Sequence, residues 1–121
     1  QEMLDATKEE LERVHLTNVD LVLSKENELT LDDDSLDGAL LAFVLHEANS
    51  PPKLLKEVRR CLRKGGWLAL LEWNMRDPED GPPLEERIDE PSLSEIAQEA
   101  KLQFTARHSL NKDQYMLLLR K

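Results

Sequence analysis

Two apolar runs of the sequence end in polar or aromatic side chains that could do chemistry. His46 follows the run 38–45 (GALLAFVL), and Trp73 closes the run 67–73 (WLALLEW). If both runs are parallel strands, their carboxyl ends form the sheet edge where α/β proteins bind ligands. We therefore predict that His46 and Trp73 contact a substrate. The histidine could act as a general base or polar contact, or could make only a local hydrogen bond. Trp73 could instead fill an apolar gap.

Other kinds of reactive site are poorly supported. No set of His, Cys and Asp residues has metal-ligand spacing, so we expect no metal. No catalytic residue can be named from the residues alone. Cys61 is the only cysteine and cannot form an internal disulfide, which is consistent with a reducing compartment. We predict a cytoplasmic protein.

Length and charge narrow the class of protein. The 121 residues suffice for one domain, and the formal net charge of −9 disfavours nucleic acids and anionic membranes as partners. No apolar stretch approaches the roughly 20 residues that span a bilayer. The local basic cluster is interpreted as a solvated helix face; it comprises Lys53, Lys56, Arg59, Arg60, Arg63 and Lys64.

The pattern around residues 51–64 predicts the clearest helix. Ser50 and Pro51 are suited to its start, and Gly65 with Gly66 to its end. One apolar stripe would cover a sheet; it consists of Leu54, Leu55, Val58, Cys61 and Leu62. The flanking runs are apolar enough for strands buried on both faces, so the segment predicts a β-α-β crossover with parallel strands.

The rest of the chain completes an α/β pattern. We expect a helix over 2–14, a strand over 19–24, a surface loop over 74–91 and a hairpin of strands 104–109 and 114–120. Ser92 with Glu95 fits a capping box at the start of a further helix. The predicted fold is a Rossmann-like, mainly parallel sheet that ends in an antiparallel hairpin.

Three stretches resemble the class I S-adenosylmethionine-dependent methyltransferase domain. They are QEMLDA at the amino end, DSLDGALLAFVLHE over 34–47, and LLKEVRRCLRKGGWLALLE over 54–72. The ubiquinone/menaquinone-biosynthesis type is the most similar subgroup. The likeness begins just after that family's second strand, so the sequence corresponds to about the carboxyl-terminal two thirds of the domain, as a single partial domain over 1–121.

The resemblance implies S-adenosylmethionine as cofactor and names candidate binding residues. Ala42 and Phe43 match positions that line the family's cofactor pocket, and are equally good core residues. Lys25 and Glu26 align with the residues that contact adenine, although lysine is only a donor. Glu26 or Asn27 could be the acceptor if the alignment shifts, and a plain solvated loop is the alternative. The family's glycine-rich turn is missing, since no G-x-G occurs in the sequence.

Two functions follow from this resemblance. The first is a methyltransferase, or part of one, that acts on an unknown small molecule. The second is a dimeric, non-catalytic, methyltransferase-like interaction module. Because the family's first two strands lie between its third and fourth, we expect exposed strand edges and a possible homo-oligomer. With those strands absent, the isolated chain should bind the cofactor weakly or not at all.

Overall fold

The computed structural model describes residues 2–25, 27–75 and 81–121. Helix α1 spans Glu2–Arg13, strand β1 Leu36–Ala42, helix α2 Pro51–Cys61 and strand β2 Leu62–Trp73. They are followed by helix α3 (Glu90–Glu99) and strands β3 (Gln103–Ser109) and β4 (Gln114–Arg120), with short 3-10 turns at Leu45–Glu47 and Leu84–Glu86.

The four strands form one sheet in the order β1-β2-β4-β3. Strands β1 and β2 are parallel and are joined by α2, whereas β4 is antiparallel to both β2 and β3. The predicted α/β class and the carboxyl-terminal hairpin are confirmed. Within these four strands the sheet is mixed, with one parallel pair and two antiparallel pairs.

The hydrophobic core lies between this sheet and helices α2 and α3. The predicted stripe of α2 is buried: Leu54, Leu55 and Val58 all belong to the core. Leu68 and Leu117 meet them from the sheet, and α3 adds buried side chains of its own, Leu93 and Ala97. Alternating side chains of β2 and β4 supply the sheet's contribution, as expected for a face that is covered by helices.

Helix α2 ends three residues earlier than predicted, at Cys61. Leu62 is already extended and pairs with Leu36 of β1. The prediction that Gly65 and Gly66 stop the helix is therefore wrong. Gly65 has φ +80° and lies in β2, where the register with β1 shifts. The two glycines therefore lie in a strand irregularity. Glycine tolerates positive φ in such an irregularity as readily as at a helix end.

The predicted strand over 19–24 is not formed. Its residues have no regular secondary structure, and Val22 and Leu23 are 46% and 62% exposed. A strand needs a hydrogen-bonded neighbour, and no described segment lies beside this one in a ladder. The apolar pattern alone was insufficient to predict a strand.

No described helix is both long and apolar enough to cross a membrane.

The end of β1 and the start of α3 also differ from prediction. Strand β1 ends at Ala42 instead of continuing to residue 45, because Phe43 adopts φ +60°. The N-cap of α3 is Asp89, whose carboxylate accepts a hydrogen bond from the Ser92 backbone N–H at 2.8 Å. The predicted capping box that starts at Ser92 is therefore wrong, since Asp89 and a proline in the first turn begin the helix earlier.

The sheet face opposite α2 and α3 is partly open. Trp67 lies across Gly38 on the neighbouring strand and is 42% exposed, and Leu40 on the same face is 60% exposed. Helix α1 has no buried residue among those described. The apolar surface on this face is thus available for contacts.

Candidate functional site

The carboxyl end of β1 carries a strained backbone. Phe43 has a left-handed φ of +60°, a conformation that costs a bulky residue about 1–3 kcal/mol. Its N–H donates to the Leu71 carbonyl of β2 at 2.9 Å, which holds the turn against the neighbouring strand. Ala42, just before it, pairs with Leu71 in the parallel ladder and is half-buried. The two predicted cofactor-lining residues therefore lie at the expected edge of the sheet.

Groups from two loops contact part of the Trp73 side chain, which is half-buried. Its ring centroid is 5.5 Å from that of Phe43, and the Arg87 guanidinium carbon lies 5.2 Å above the indole ring. A Cβ at Gly81 would come within 2.8 Å of the indole, so only glycine fits this approach. Arg87 is 6% exposed and donates to the carbonyls of Asn74 and Pro82. These contacts place Gly81 and Arg87 against the indole.

His46 and Glu72 form a buried pair at the end of β2. The Glu72 carboxylate accepts from the His46 backbone N–H at 3.1 Å and lies 2.9 Å from Nδ1 of the ring. The His46 side chain is 4% exposed and that of Glu72 is 1% exposed. The carboxylate thus contacts both the backbone and the ring of His46. On the other side of the ring, Nε2 is 3.7 Å from the exposed carboxylate of Glu47.

Tyr115 is a third buried polar residue beside the His46–Glu72 pair. It pairs with Glu72 across β2 and β4, and its hydroxyl donates to the Ile88 carbonyl at 3.0 Å. Burial, and secondarily the nearby Glu72 carboxylate, raises the pKa of the Tyr115 phenol. The environment is therefore one that disfavours additional negative charge.

The structure does not bring the two predicted substrate residues together. Successive residues of a strand point to opposite faces, so Glu72 and its partner His46 face α2 and α3, and Trp73 faces the other way. Trp73 also borders a cavity of about 290 Å³ beside the β3–β4 turn. Trp73 thus borders a cavity, whereas the His46 side chain is only 4% exposed.

The turn that starts at Lys25 contains the predicted adenine-binding residues. Lys25 is exposed, and its carbonyl accepts from the Glu28 N–H at 3.3 Å; Glu26 lies outside the described residues. Asn27 Oδ1 is buried, and within the described part of the chain it has no hydrogen-bond partner. Other atoms of Asn27 border a cavity of about 490 Å³ that is also lined by Lys53 and Lys56.

Arg60 binds the segment that follows this turn, which the interpretation of a solvated basic face did not predict. Its guanidinium donates to the carbonyls of Leu29 and Leu31 and to the carboxylate of Glu57. The Arg60 hydrogen bond lowers the pKa of Glu57. An (i, i+3) Glu–Arg spacing was the available signal, but it is typical of surface pairs. No group of three His, Cys, Asp or Glu side chains within residues 2–25, 27–75 and 81–121 could hold a metal ion.

Comparison with known proteins places this geometry in a family. The family model described as "Methyltransferase domain" matches residues 1–70. An uncharacterised methyltransferase of Mycobacterium tuberculosis is 32% identical in an alignment of 117 positions that covers 86% of this chain and 45% of that protein. A demethylmenaquinone methyltransferase of Listeria welshimeri is 31% identical over 72 residues, 60% of this chain and 30% of that one.

Solved structures agree with the sequence match. A SAM-dependent methyltransferase from Aquifex aeolicus superposes with a TM-score of 0.93 at 28% identity, over 98% of this chain and 63% of that chain. The chain thus spans less than half of the mycobacterial relative and less than two thirds of the Aquifex protein. With more than half of its residues matched by the family model, the chain belongs to the methyltransferase domain family, of the class I S-adenosylmethionine-dependent type.

Proposed function

We propose that the protein transfers a methyl group from S-adenosylmethionine to a small-molecule acceptor. The observation that carries this proposal is the parallel β1–β2 edge that ends in Ala42 and Phe43, in a chain that superposes on a SAM-dependent methyltransferase at a TM-score of 0.93. The bound cofactor would supply an activated methyl group. Positioning of the acceptor in line provides most of the remaining catalysis, so no dedicated catalytic side chain is required.

One atom among the described residues supports a contact with the adenine part of this cofactor. An adenine amino group donates hydrogen bonds, and Asn27 Oδ1 is a buried acceptor whose partner is missing from the described residues. Lys25 can only donate. We therefore assign the acceptor role to Asn27, with Lys25 and Glu26 as its neighbours in the turn and Ala42 and Phe43 at the sheet edge.

We prefer Trp73 as the residue that contacts the methyl acceptor, because it borders the cavity of about 290 Å³ at the same edge of the sheet. His46 stays a candidate only through Nε2, since its other ring nitrogen and its backbone are bound to Glu72. An acidic protein with a single unpaired, buried cysteine suits a cytoplasmic enzyme with small-molecule substrates and without nucleic-acid or membrane partners.

Calorimetry with S-adenosylhomocysteine tests the assignment on the protein as its gene encodes it. Asn27→Leu should weaken binding about 2- to 10-fold, the effect of one neutral hydrogen bond. Asn27→Asp keeps an acceptor and is the matched control. Equal affinity of the leucine variant and the wild type would refute the role of Asn27. Absence of binding by the wild type, together with absence of methyl transfer from labelled S-adenosylmethionine, would refute the function.

A second candidate is a non-catalytic interaction module that forms homo-oligomers. The exposed Leu40 and Trp67 on the open sheet face favour it, as does the outer edge of β1, which has no strand beside it among the described residues. Cofactor binding separates the two candidates, because only the enzyme requires it.

A further inference from the structure

Leu29 is held at both its backbone groups by side chains of α2. Its N–H donates to Glu57 Oε2 at 2.6 Å, and its carbonyl accepts from Arg60 Nη2 at 3.0 Å. These two bonds replace the pairing that a neighbouring strand would give. The Leu29 side chain also packs against the hydrophobic core. The segment is therefore fixed to α2 at one residue by polar and apolar contacts together.

The same two side chains are tied to each other and to the next residues. Arg60 Nε lies 2.6 Å from Glu57 Oε1, and Arg60 Nη1 donates to the Leu31 carbonyl at 2.9 Å and to Asp33 at 2.6 Å. A planar guanidinium that serves carbonyls and carboxylates at once is already ordered by each partner, so the remaining bonds cost less side-chain entropy. Lysine could not reproduce this set.

Asn27 is two residues from Leu29 and borders the cavity that Glu57 and Arg60 also line. Among the described residues of the turn, the Glu28 N–H donates to the Lys25 carbonyl at 3.3 Å, a long hydrogen bond. The position of the Asn27 acceptor therefore depends on the contacts at Leu29. We propose that Glu57 and Arg60 are positioning residues that hold Asn27 in place for the cofactor, an inference that rests on the proposed function.

Four variants of the gene-encoded protein test this role: Arg60→Ala, Arg60→Lys, Glu57→Gln and, as control, Arg63→Ala. Arg63 lies just after α2, at the start of β2, and pairs with Asp37, outside the turn. Amide hydrogen exchange at Leu29 reports the contact, and calorimetry with S-adenosylhomocysteine reports the ligand. Arg60→Ala should speed exchange at Leu29 and weaken binding about 3- to 10-fold, no more than Asn27→Leu, because Arg60 acts through the Asn27 contact. The rate of methyl transfer at saturating S-adenosylmethionine should not change.

Arg60→Lys should recover only part of the affinity, and Arg63→Ala should match the wild type in both measurements. Glu57→Gln keeps an acceptor for the Leu29 N–H and provides the milder variant if Arg60→Ala does not fold. Faster exchange at Leu29 with affinity within about twofold of the wild type would overturn the proposal, because preorganisation would then not contribute to binding. Failure of the wild type itself to bind would instead refute the cofactor site.

Discussion

The Glu72 carboxylate binds both the backbone N–H and the ring Nδ1 of His46, and both side chains are buried. This pair joins the turn after β1 to the end of β2. It accounts for the local hydrogen-bonding role that was one of the alternatives for His46. The two groups are 26 positions apart in sequence, so the contact depends on the parallel pairing of the strands.

Glu72→Leu should destabilise the fold by about 1–3 kcal/mol, because the buried backbone N–H and ring Nδ1 of His46 both lose their hydrogen-bond partner. Glu72→Gln is the matched control, since its amide oxygen can still accept one of the two bonds. Urea unfolding followed by fluorescence measures both. A leucine variant as stable as the wild type would contradict a stabilising pair.

Tyr115 predicts a loss of stability at alkaline pH. Burial raises its pKa above the ordinary value of about 10, so the unfolded chain ionises before the folded one. Stability from this group is complete below about pH 10 and falls as the pH rises further, because the unfolded state then binds fewer protons.

The measurement is urea unfolding between about pH 8 and 11, with Tyr115→Phe as control, since phenylalanine does not titrate. The variant should lose the bond to the Ile88 carbonyl, about 0.5–1.5 kcal/mol, and show a flatter alkaline decline. Tyr115 is the only tyrosine, so no other phenol contributes. Parallel declines in both proteins would show that Tyr115 is not the cause.

Leu55 tests the core that the helix pattern predicted. It is fully buried, so Leu55→Ala should cost about 2–5 kcal/mol of unfolding free energy. Leu23→Ala, at a position that is 62% exposed, is the control and should change stability by less than about 0.5 kcal/mol. Thermal and urea unfolding measure both. A loss below about 0.5 kcal/mol at Leu55 would show that this face of α2 is not core.

Local sequence patterns correctly predicted helix α2 and strand β4. The apolar stripe that includes Leu55 fixes the buried face of α2, and alternation fixes β4. The same reasoning failed for 19–24, because strand formation depends on a neighbour that the pattern does not reveal. It also assigned Gly65 to a helix end, since a glycine with positive φ serves a strand irregularity equally well.

The candidate site was less predictable than the fold. Strand ends correctly placed Phe43 and Trp73 at one edge, where their rings are 5.5 Å apart. Periodicity could not show that His46 faces the core with Glu72, nor that Arg60 binds the backbone of Leu29. Both are contacts between segments more than 25 residues apart, which only the tertiary fold brings together.

Gly38 should tolerate no side chain while Trp67 occupies its present place. A Cβ at Gly38 would lie 2.0 Å from the indole ring, so Gly38→Ala must displace the tryptophan. We expect a cost of about 1–3 kcal/mol, typical of overpacking. In the Trp67→Ala background the same change should cost much less, and a double-mutant cycle measures the difference. Additive effects would contradict direct contact between the two residues.

The last prediction concerns assembly through the open side of the sheet. The outer edge of β1 has no described partner strand, and Leu40 on its open face is 60% exposed. Unpaired strand edges and apolar faces recruit further chains. We expect the 121-residue chain to form dimers or larger species, with an apparent mass that rises with concentration in light scattering.

Leu40→Lys should shift this chain towards the monomer, because it places a charge on the apolar face and beside the free edge. Leu110→Lys is the control: Leu110 is also exposed, but it lies in the turn between β3 and β4. Circular dichroism must first show that both variants keep the fold. If the wild type is a monomer throughout the dilution series, assembly through β1 is wrong. If both lysine variants dissociate equally, general charge repulsion and not the β1 edge explains the effect.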